Sequence, residues 1–507
     1  MGYNLAQDFI DRNVEDGLAE KAAFIDPANS LTYGGLQKAS CQMANALNDL
    51  GLRRETRVAL LMLDTVDWPV VFFGAARAGI IPVALNTLLV TEQYRYMLSD
   101  SRAEVLFVSA PLYDVVAPVI GQIDSLKKII VVGEKINDHT TLSELLAGRS
   151  DQFATVETLA DEVGFWLYSS GSTGQPKGTP HVQSAMGYTA KTYGAKVLGI
   201  RRDDVCFSAA KFFFAYGLGN AISFPMAAGA TTILLPSRPT PQDVFKTLKT
   251  SKATLFFGVP TLFAAILADE TCRAEENLAN VRLCASAGEA LPADIGENWS
   301  KKFGVDIIDG IGSTEMLHIF LSNRPDDIRY GTSGREFEGY RLRLEGENGQ
   351  AVEDGEIGEL LVNGESAANG YWNQRAKSRI TFEGEWTRTG DKYTRDDEGY
   401  YHYCGRTDDM FKVSGIWVSP FEVESALVSH SAVLEAAVVA QADGEDLIKP
   451  KAFVILNGTA GKKDLTKELQ QHVKTSVGQW KYPRWIEFVN ELPKTATGKI
   501  QRFKLRG

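Results

Sequence analysis

Four hydroxyl side chains, three glycines and a lysine crowd into Ser169-Ser170-Gly171-Ser172-Thr173-Gly174-Gln175-Pro176-Lys177-Gly178. Glycines let backbone N–H groups turn toward phosphate oxygens, hydroxyls add donors, and the lysine adds positive charge. The string reads as a polyphosphate cradle. It lacks the G-x-x-x-x-G-K-[ST] spacing of a Walker loop, so it is a cradle of another kind. A bare Gly/Ser segment would be a polar surface loop, but the ordered ending Pro176-Lys177-Gly178 departs from that. A second cation, Lys499, stands in Pro493-Lys494-Thr495-Ala496-Thr497-Gly498-Lys499-Ile500, eight residues before the end. Alone, a lysine so near a terminus is an exposed, mobile side chain. Paired with the cradle, it predicts a cation delivered to a bound polyphosphate, and with it activation of a carboxylate by ATP.

Elements must hold these groups in place. Phe165-Trp166-Leu167-Tyr168 reads as a strand feeding the cradle. The runs Val58–Leu63 and Ile80–Leu85 flank the helical stretch Val66–Ala78, a βαβ pattern. Val105–Val108, Ile129–Val132, Thr232–Leu235 and Thr254–Phe257 repeat the theme, with a helix from Pro241 to Leu248. Such alternation predicts parallel sheets covered by helices. Beyond about residue 330 the texture changes. Tyr340–Leu344, Gly358–Val362 and Gly399–Tyr403 are short strands near Glu-Asn-Gly, Glu-Asp-Gly and Asp-Glu-Gly turns, predicting an antiparallel, barrel-like or distorted sheet. From Asp408 a small α+β unit follows, with helices Pro420–Val428 and Lys463–Val477 and strands Ala436–Val439 and Lys451–Ile455. The expected organisation is an α/β domain over 1–407 and a small domain over 408–507.

The bulk properties fit an enzyme. A chain of 507 residues implies roughly two to four structural units. With 44% hydrophobic and 23% charged residues it has a sizeable core. A net charge of -11 argues against a nucleic-acid partner. The five cysteines form no C-x-x-C pair, which predicts small buried hydrophobes in a reducing, cytoplasmic setting. The N-terminus shows no basic segment followed by an apolar one, and no run of about 18 apolar residues occurs, so neither a signal peptide nor a membrane span is expected.

From Leu31-Thr32-Tyr33-Gly34 to Lys499 the chain resembles the adenylate-forming superfamily of acyl-CoA synthetases, adenylation domains and beetle luciferases. Six motifs occur in the family's order: the cradle, Ser286–Pro292, Asp309–Glu315, Thr389-Gly390-Asp391, Gly405–Asp409 and the Lys499 segment. The resemblance implies a nucleotide site from Ser169, Ser170, Gly171, Ser172, Thr173, Gly174 and Lys177 around the phosphates. Gly288, Glu289, Ala290, Asp309, Gly310 and Ile311 would line the adenine pocket. Asp391 would accept the ribose hydroxyls and Arg406 hold the ribose and phosphate side. Glu315 would ligate Mg²⁺, with Thr314 donating to a phosphate oxygen. Lys499 would bridge the carboxylate and the α-phosphate, offsetting repulsion between two anions. For thioester formation the small domain would rotate about Asp408, withdrawing Lys499 and presenting Lys412, Ser414, Gly415 and Trp417 to CoA.

Within that family, Ser208–Asn220 and Ser313–Phe320 resemble benzoate-CoA ligases, as do Asp391-Lys392-Tyr393 and Asp409–Gly415. The implied aryl pocket comprises Phe214, Ala215, Tyr216, Gly312, His318 and Ile319, with His318 orienting the carboxylate and Tyr216, His318 or Lys211 meeting a ring substituent. At least one of Phe212 to Phe214 should be core, from strand alternation. Amino-acid-activating relatives carry an aspartate near Ala215; its absence argues against an α-amino acid. Departures are Gln183 where a histidine is common, His181 two residues earlier, Pro180 in an expected strand, and bulky Trp417 near the CoA path. The expectation is an ATP-, CoA- and Mg²⁺-dependent ligase of an aromatic carboxylic acid, monomeric or homodimeric. Alternatives are a hydroxy- or aminobenzoate ligase, an aryl-acid adenylation enzyme loading a carrier protein, and a catalytically silent binding protein on the same fold.

Overall fold

The computed structural model describes residues 2–169, 175–272, 278–413, 416–444, 447–458, 465–494 and 500–506, and only the backbone of Ile416. The apolar runs read from the sequence become two mainly parallel sheets. The first has seven strands. Its centre is Val105–Ser109, Arg57–Leu61, Ile81–Ala84 and Val163–Ser169, all in parallel register. Helix Asp67–Arg77 makes the crossover expected of the βαβ unit, and ten of its residues from Trp68 to Arg77 are buried. The edge strand, Lys177–Val182, turns back antiparallel on Val163–Ser169. Pro180, which has no N–H to donate, sits on this edge strand, where proline is tolerated.

The second sheet has eight strands, with Val205–Ser208, Leu255–Gly258, Leu283–Ser286 and Ile307–Gly312 parallel neighbours. Ile319–Ser322 closes one edge antiparallel to Ile307–Gly312. The N-terminal strand Ala22–Ile25 joins the far side, beside Thr231–Ile233. The packing between the sheets is aromatic. Trp68 of the crossover helix meets Phe72 at 5.0 Å and Phe212 at 4.8 Å between ring centroids. Phe212 and Phe213 are buried and Phe214 is half-buried. The expectation that one of the three is core therefore holds, but for another reason. They lie in the loop after Val205–Ser208, with Phe214 capping the helix Ala215–Leu218, and not in an alternating strand.

The texture change near residue 330 corresponds to a five-stranded antiparallel sheet built on Arg341–Glu345, Gly358–Asn363 and Trp386–Arg395. After it, the hairpin Phe411–Val413/Ile416–Val418 leads to a three-stranded sheet of Val433–Ala442, Ile448–Leu456 and Trp485–Phe488. Helices Pro420–Val428 and Leu465–Val477 pack on it. Buried side chains of this unit form clusters separate from the core of the larger region, as a distinct small domain requires.

Candidate active site

The described ends of the cradle lie on a pair of antiparallel strands. Ser169 ends one strand and faces Lys177, the first residue of the next. Residues Ser170, Gly171, Ser172, Thr173 and Gly174 lie outside the described residues. Ser169 is buried and its Oγ has no hydrogen-bond partner among the described residues. Lys177 points at the turn between Ile307–Gly312 and Ile319–Ser322, which carries Thr314 and Glu315. Its Nζ lies 3.5 Å from Glu315 Oε1 and donates to the Tyr371 hydroxyl at 2.9 Å. Tyr371 in turn donates to Glu315 Oε1 at 2.6 Å. Burial by itself would raise the Glu315 carboxyl, but the Lys177 charge and the Tyr371 hydroxyl outweigh it and hold Glu315 below the usual carboxylate range. Burial lowers Lys177, and Glu315 opposes that shift. The two first candidates for phosphate chemistry thus meet across two sheets.

The segments expected to line the adenine pocket also converge. Gly288, Glu289 and Ala290 follow the strand Leu283–Ser286, and Gly288 adopts a left-handed φ of 95°. The next backbone N–H, of Leu291, donates to Asp309 Oδ2 at 3.3 Å, tying that loop to the strand bearing Asp309, Gly310 and Ile311. Asp309 is buried, and burial raises its pKa to about 8, so its carboxyl is largely protonated at neutral pH. Asp391 and Arg406 face each other across neighbouring antiparallel strands, Arg406 Nη1 donating to Asp391 Oδ1 at 2.9 Å. The same guanidinium nitrogen donates to the Thr389 carbonyl at 3.0 Å. Asp391 raises the Arg406 pKa despite burial.

The segments proposed for the acid site come together around His318. Its ring centroid lies 4.4 Å from Phe224, 5.4 Å from Tyr193 and 5.6 Å from Tyr216. Nε2 lies 3.2 Å from the Tyr216 carbonyl, which only accepts, so Nε2 carries the proton. Burial lowers the pKa to about 3, and the ring is neutral. Nδ1 is then an acceptor, without a partner among the described residues. In this state the free ring nitrogen of His318 offers an acceptor. Small residues make room: a Cβ on Gly219 would lie 2.2 Å from His318 Cδ2, and one on Gly312, opposite Ile319, 2.6 Å from the His318 carbonyl oxygen. Ala215 is buried and Phe214 packs on Phe213 at 4.4 Å. The Tyr216 hydroxyl is engaged by the Ala285 carbonyl at 2.9 Å. Lys211 Nζ turns to the carbonyls of Leu235 and Ser237 and lies 4.0 Å from buried Asp64. Of the three groups expected to meet a ring substituent, His318 alone carries a polar side-chain atom with no hydrogen-bond partner among the described residues.

Lys499, Ser414 and Gly415 lie outside the described residues. Trp417 is sandwiched between cations, with Lys392 4.7 Å and Lys412 4.6 Å from its ring, and Lys412 also pairs with Glu347 at 3.0 Å. This brings the hairpin against the strand carrying Asp391. Asp408 lies in a turn where its carbonyl accepts from Arg506 at 3.1 Å, while Asp409 pairs with Arg502 and Arg506. Gln183 accepts from the Leu5 N–H at 3.1 Å, a structural contact. His181 is buried against Phe165 at 5.3 Å, and burial lowers its pKa to about 4. The sequence reading missed Tyr371, Asp64, Tyr193 and Phe224. No spacing marks Tyr371, whose hydroxyl bonds to residues 56 and 194 positions away.

All five cysteines are free thiols. Among the described residues no helix is long and apolar enough to cross a membrane, and no cluster of three or more metal-ligating side chains occurs.

The family model described as AMP-binding enzyme matches residues 10–372, and the AMP-binding enzyme C-terminal domain matches 422–499. The chain is 54% identical over 506 residues to the 4-hydroxybenzoate–CoA/benzoate–CoA ligase of Rhodopseudomonas palustris, covering 99% of this chain and 94% of that one. It is 53% identical over 507 residues to the benzoate–CoA ligase of Thauera aromatica, covering 99% and 96%. Its structure superposes on an anthranilate CoA ligase in complex with anthranoyl-AMP with a TM-score of 0.95 at 43% identity, covering 100% of this chain and 97% of the other.

Proposed function

The chain belongs to the AMP-binding enzyme family, and on that basis we propose how its residues carry out the reaction. It is an AMP-forming acid–thiol ligase of the benzoate type, converting an aromatic carboxylate, ATP and CoA into the aryl thioester, AMP and pyrophosphate. The observation that supports this most is identity above one half, over 99% of the chain, to two benzoate-type CoA ligases.

In our reading Lys177 and the cradle from Ser169 hold the triphosphate. Glu315 fits Mg²⁺: it is one hard, ionised carboxylate outside any acidic cluster among the described residues, and Mg²⁺ is commonly held by one or two carboxylates plus phosphate oxygens. The ion would neutralise phosphate charge there, with Thr314 donating to a phosphate oxygen. Asp391, oriented by Arg406, accepts from the ribose. Gly288–Ala290 and Asp309–Ile311 bracket the base, and the protonated Asp309 carboxyl adds a donor. Lys499 brings its ammonium to the carboxylate and α-phosphate, lowering repulsion during attack. The chain over 408–507 then turns about Asp408, so that the hairpin with Lys412, Ser414, Gly415 and Trp417 receives the CoA thiol. We place the enzyme in the cytoplasm, as a monomer or homodimer.

A second reading, a ligase that also takes hydroxybenzoate, is favoured by one observation: Nδ1 of neutral His318 is an acceptor unengaged among the described residues, which suits a ring O–H. The test is pyrophosphate release with Mg-ATP and CoA across benzoate, hydroxybenzoates, aminobenzoates, cyclohexanecarboxylate and medium-chain fatty acids. Benzoate, alone or with a hydroxybenzoate, is expected to lead. Preference for fatty acids would overturn the aryl pocket, and no release with any acid would overturn the ligase.

A further inference from the structure

Segment 368–372 touches both loops that face the proposed triphosphate. At its start the Ala368 N–H donates to the Glu315 carbonyl at 2.8 Å. At its end the Trp372 N–H donates to the Gly178 carbonyl at 2.8 Å, one residue past Lys177. Between them the Tyr371 hydroxyl accepts from Lys177 and donates to Glu315, at 2.9 and 2.6 Å. The Lys177 ammonium also sits 4.1 Å from the Tyr371 ring centroid.

The segment is itself anchored from outside. Tyr371 N–H donates to Ser378 Oγ at 2.9 Å, on the helix Arg375–Thr381. The Trp372 indole N–H donates to the Asp100 carbonyl at 3.0 Å, and its ring packs on Trp166 at 4.8 Å and under Arg57 and Arg102. The ammonium and the Glu315 carboxylate already form an ion pair at 3.5 Å, and the phenol bridges its two members. Lys177 therefore divides its bonding between that carboxylate and a neutral hydroxyl.

We propose that segment 368–372 is a strap that presets the nucleotide site, with Tyr371 as the positioning residue that bridges Lys177 and Glu315 and keeps both aimed. This rests on the reading that Lys177 and Glu315 face the triphosphate. The phenol keeps one Glu315 oxygen fixed and gives Lys177 a neutral partner that it can leave for a phosphate oxygen. The strap acts on nucleotide binding and leaves the aryl pocket alone.

The test is calorimetric binding of Mg-ATP to the full-length wild type and Tyr371→Phe, with KM for ATP and for benzoate measured beside it. Loss of a hydrogen bond to charged groups should weaken ATP about tenfold or more, while KM for benzoate changes less than about twofold. Should Tyr371→Phe fail to fold, Ser378→Ala removes the anchor of the Tyr371 backbone along with a bond to the Gln374 carbonyl, and should weaken ATP about threefold with the same split. ATP binding within experimental error of wild type in the folded variant would overturn the strap, as would equal rises in both KM values. Calorimetry needs no turnover, so it judges the strap separately from the ligase reading: wild type that binds ATP but activates no acid would overturn only the latter.

Discussion

At the scale of single residues, burial decides chemistry that residue type leaves open. His318 could have been a cation for a carboxylate; its aromatic surroundings make it a neutral acceptor. That state depends on the missing side chain of Gly219. Gly219→Ala would drive a methyl into the imidazole and break its bond to the Tyr216 carbonyl. We expect KM for benzoate to rise about tenfold, with KM for ATP unchanged in the same steady-state assay. Asp309 gives a pH-dependent prediction. Its folded pKa of about 8 lies above the ordinary carboxyl value of 3.8, so the native state holds a proton that the unfolded chain has released between those limits. Stability from this group therefore falls as pH rises. Relative to Asp309→Asn, wild type should lose roughly 1.4 kcal/mol per pH unit between about pH 5 and 7, read from urea midpoints. A difference constant with pH would contradict a raised pKa.

At the scale of elements, the site is assembled from turns and loops at the ends of strands. The described ends of the cradle lie on paired antiparallel strands, Glu315 lies in the turn of another antiparallel pair, and the helix Ala215–Leu218 comes after a parallel strand. The loop leading into that helix is pinned between the sheets. Asp64 lies just beyond Arg57–Leu61 of the first sheet, and Lys211 just beyond Val205–Ser208 of the second. Burial lifts Asp64 to about 6, with Lys211 pulling the other way. Lys211→Met strands a buried carboxylate and should cost on the order of 3 kcal/mol at about pH 8. Adding Asp64→Asn should recover much of that loss in a double-mutant cycle of denaturation. Additive losses would mean that the 4.0 Å pair does not couple.

At the scale of the whole molecule, the joint at residues 406–410 links two cores and is held from both sides. The Thr407 N–H donates to the Gly390 carbonyl at 2.9 Å, while Arg502 and Arg506 hold Asp409 from the C-terminal side. Trp417 between Lys392 and Lys412 adds a contact across the joint. If the small domain turns here between half-reactions, Asp408→Pro, which fixes φ, should lower thioester formation by about tenfold or more while adenylate formation falls less than about threefold. Single-turnover assays of pyrophosphate and thioester release separate the two, and equal losses would count against rotation at this residue.

The alternation of strands and helices, the antiparallel region after residue 330, the order of the motifs and the class of chemistry are all legible in the chain of residues. These are local matters: periodicity, turn residues and short strings of donors and charges are complete within a few positions. Whether Pro180 sits harmlessly at an edge, whether His318 is charged, and which partner Lys211 takes became settled only on folding. Each depends on groups distant in the chain, because desolvation and hydrogen bonding are set by whatever packs nearby in space. Tyr371 shows this most plainly. Nothing in Gly370-Tyr371-Trp372 announces a role, yet folding places its hydroxyl between Lys177 and Glu315, groups the sequence had marked separately.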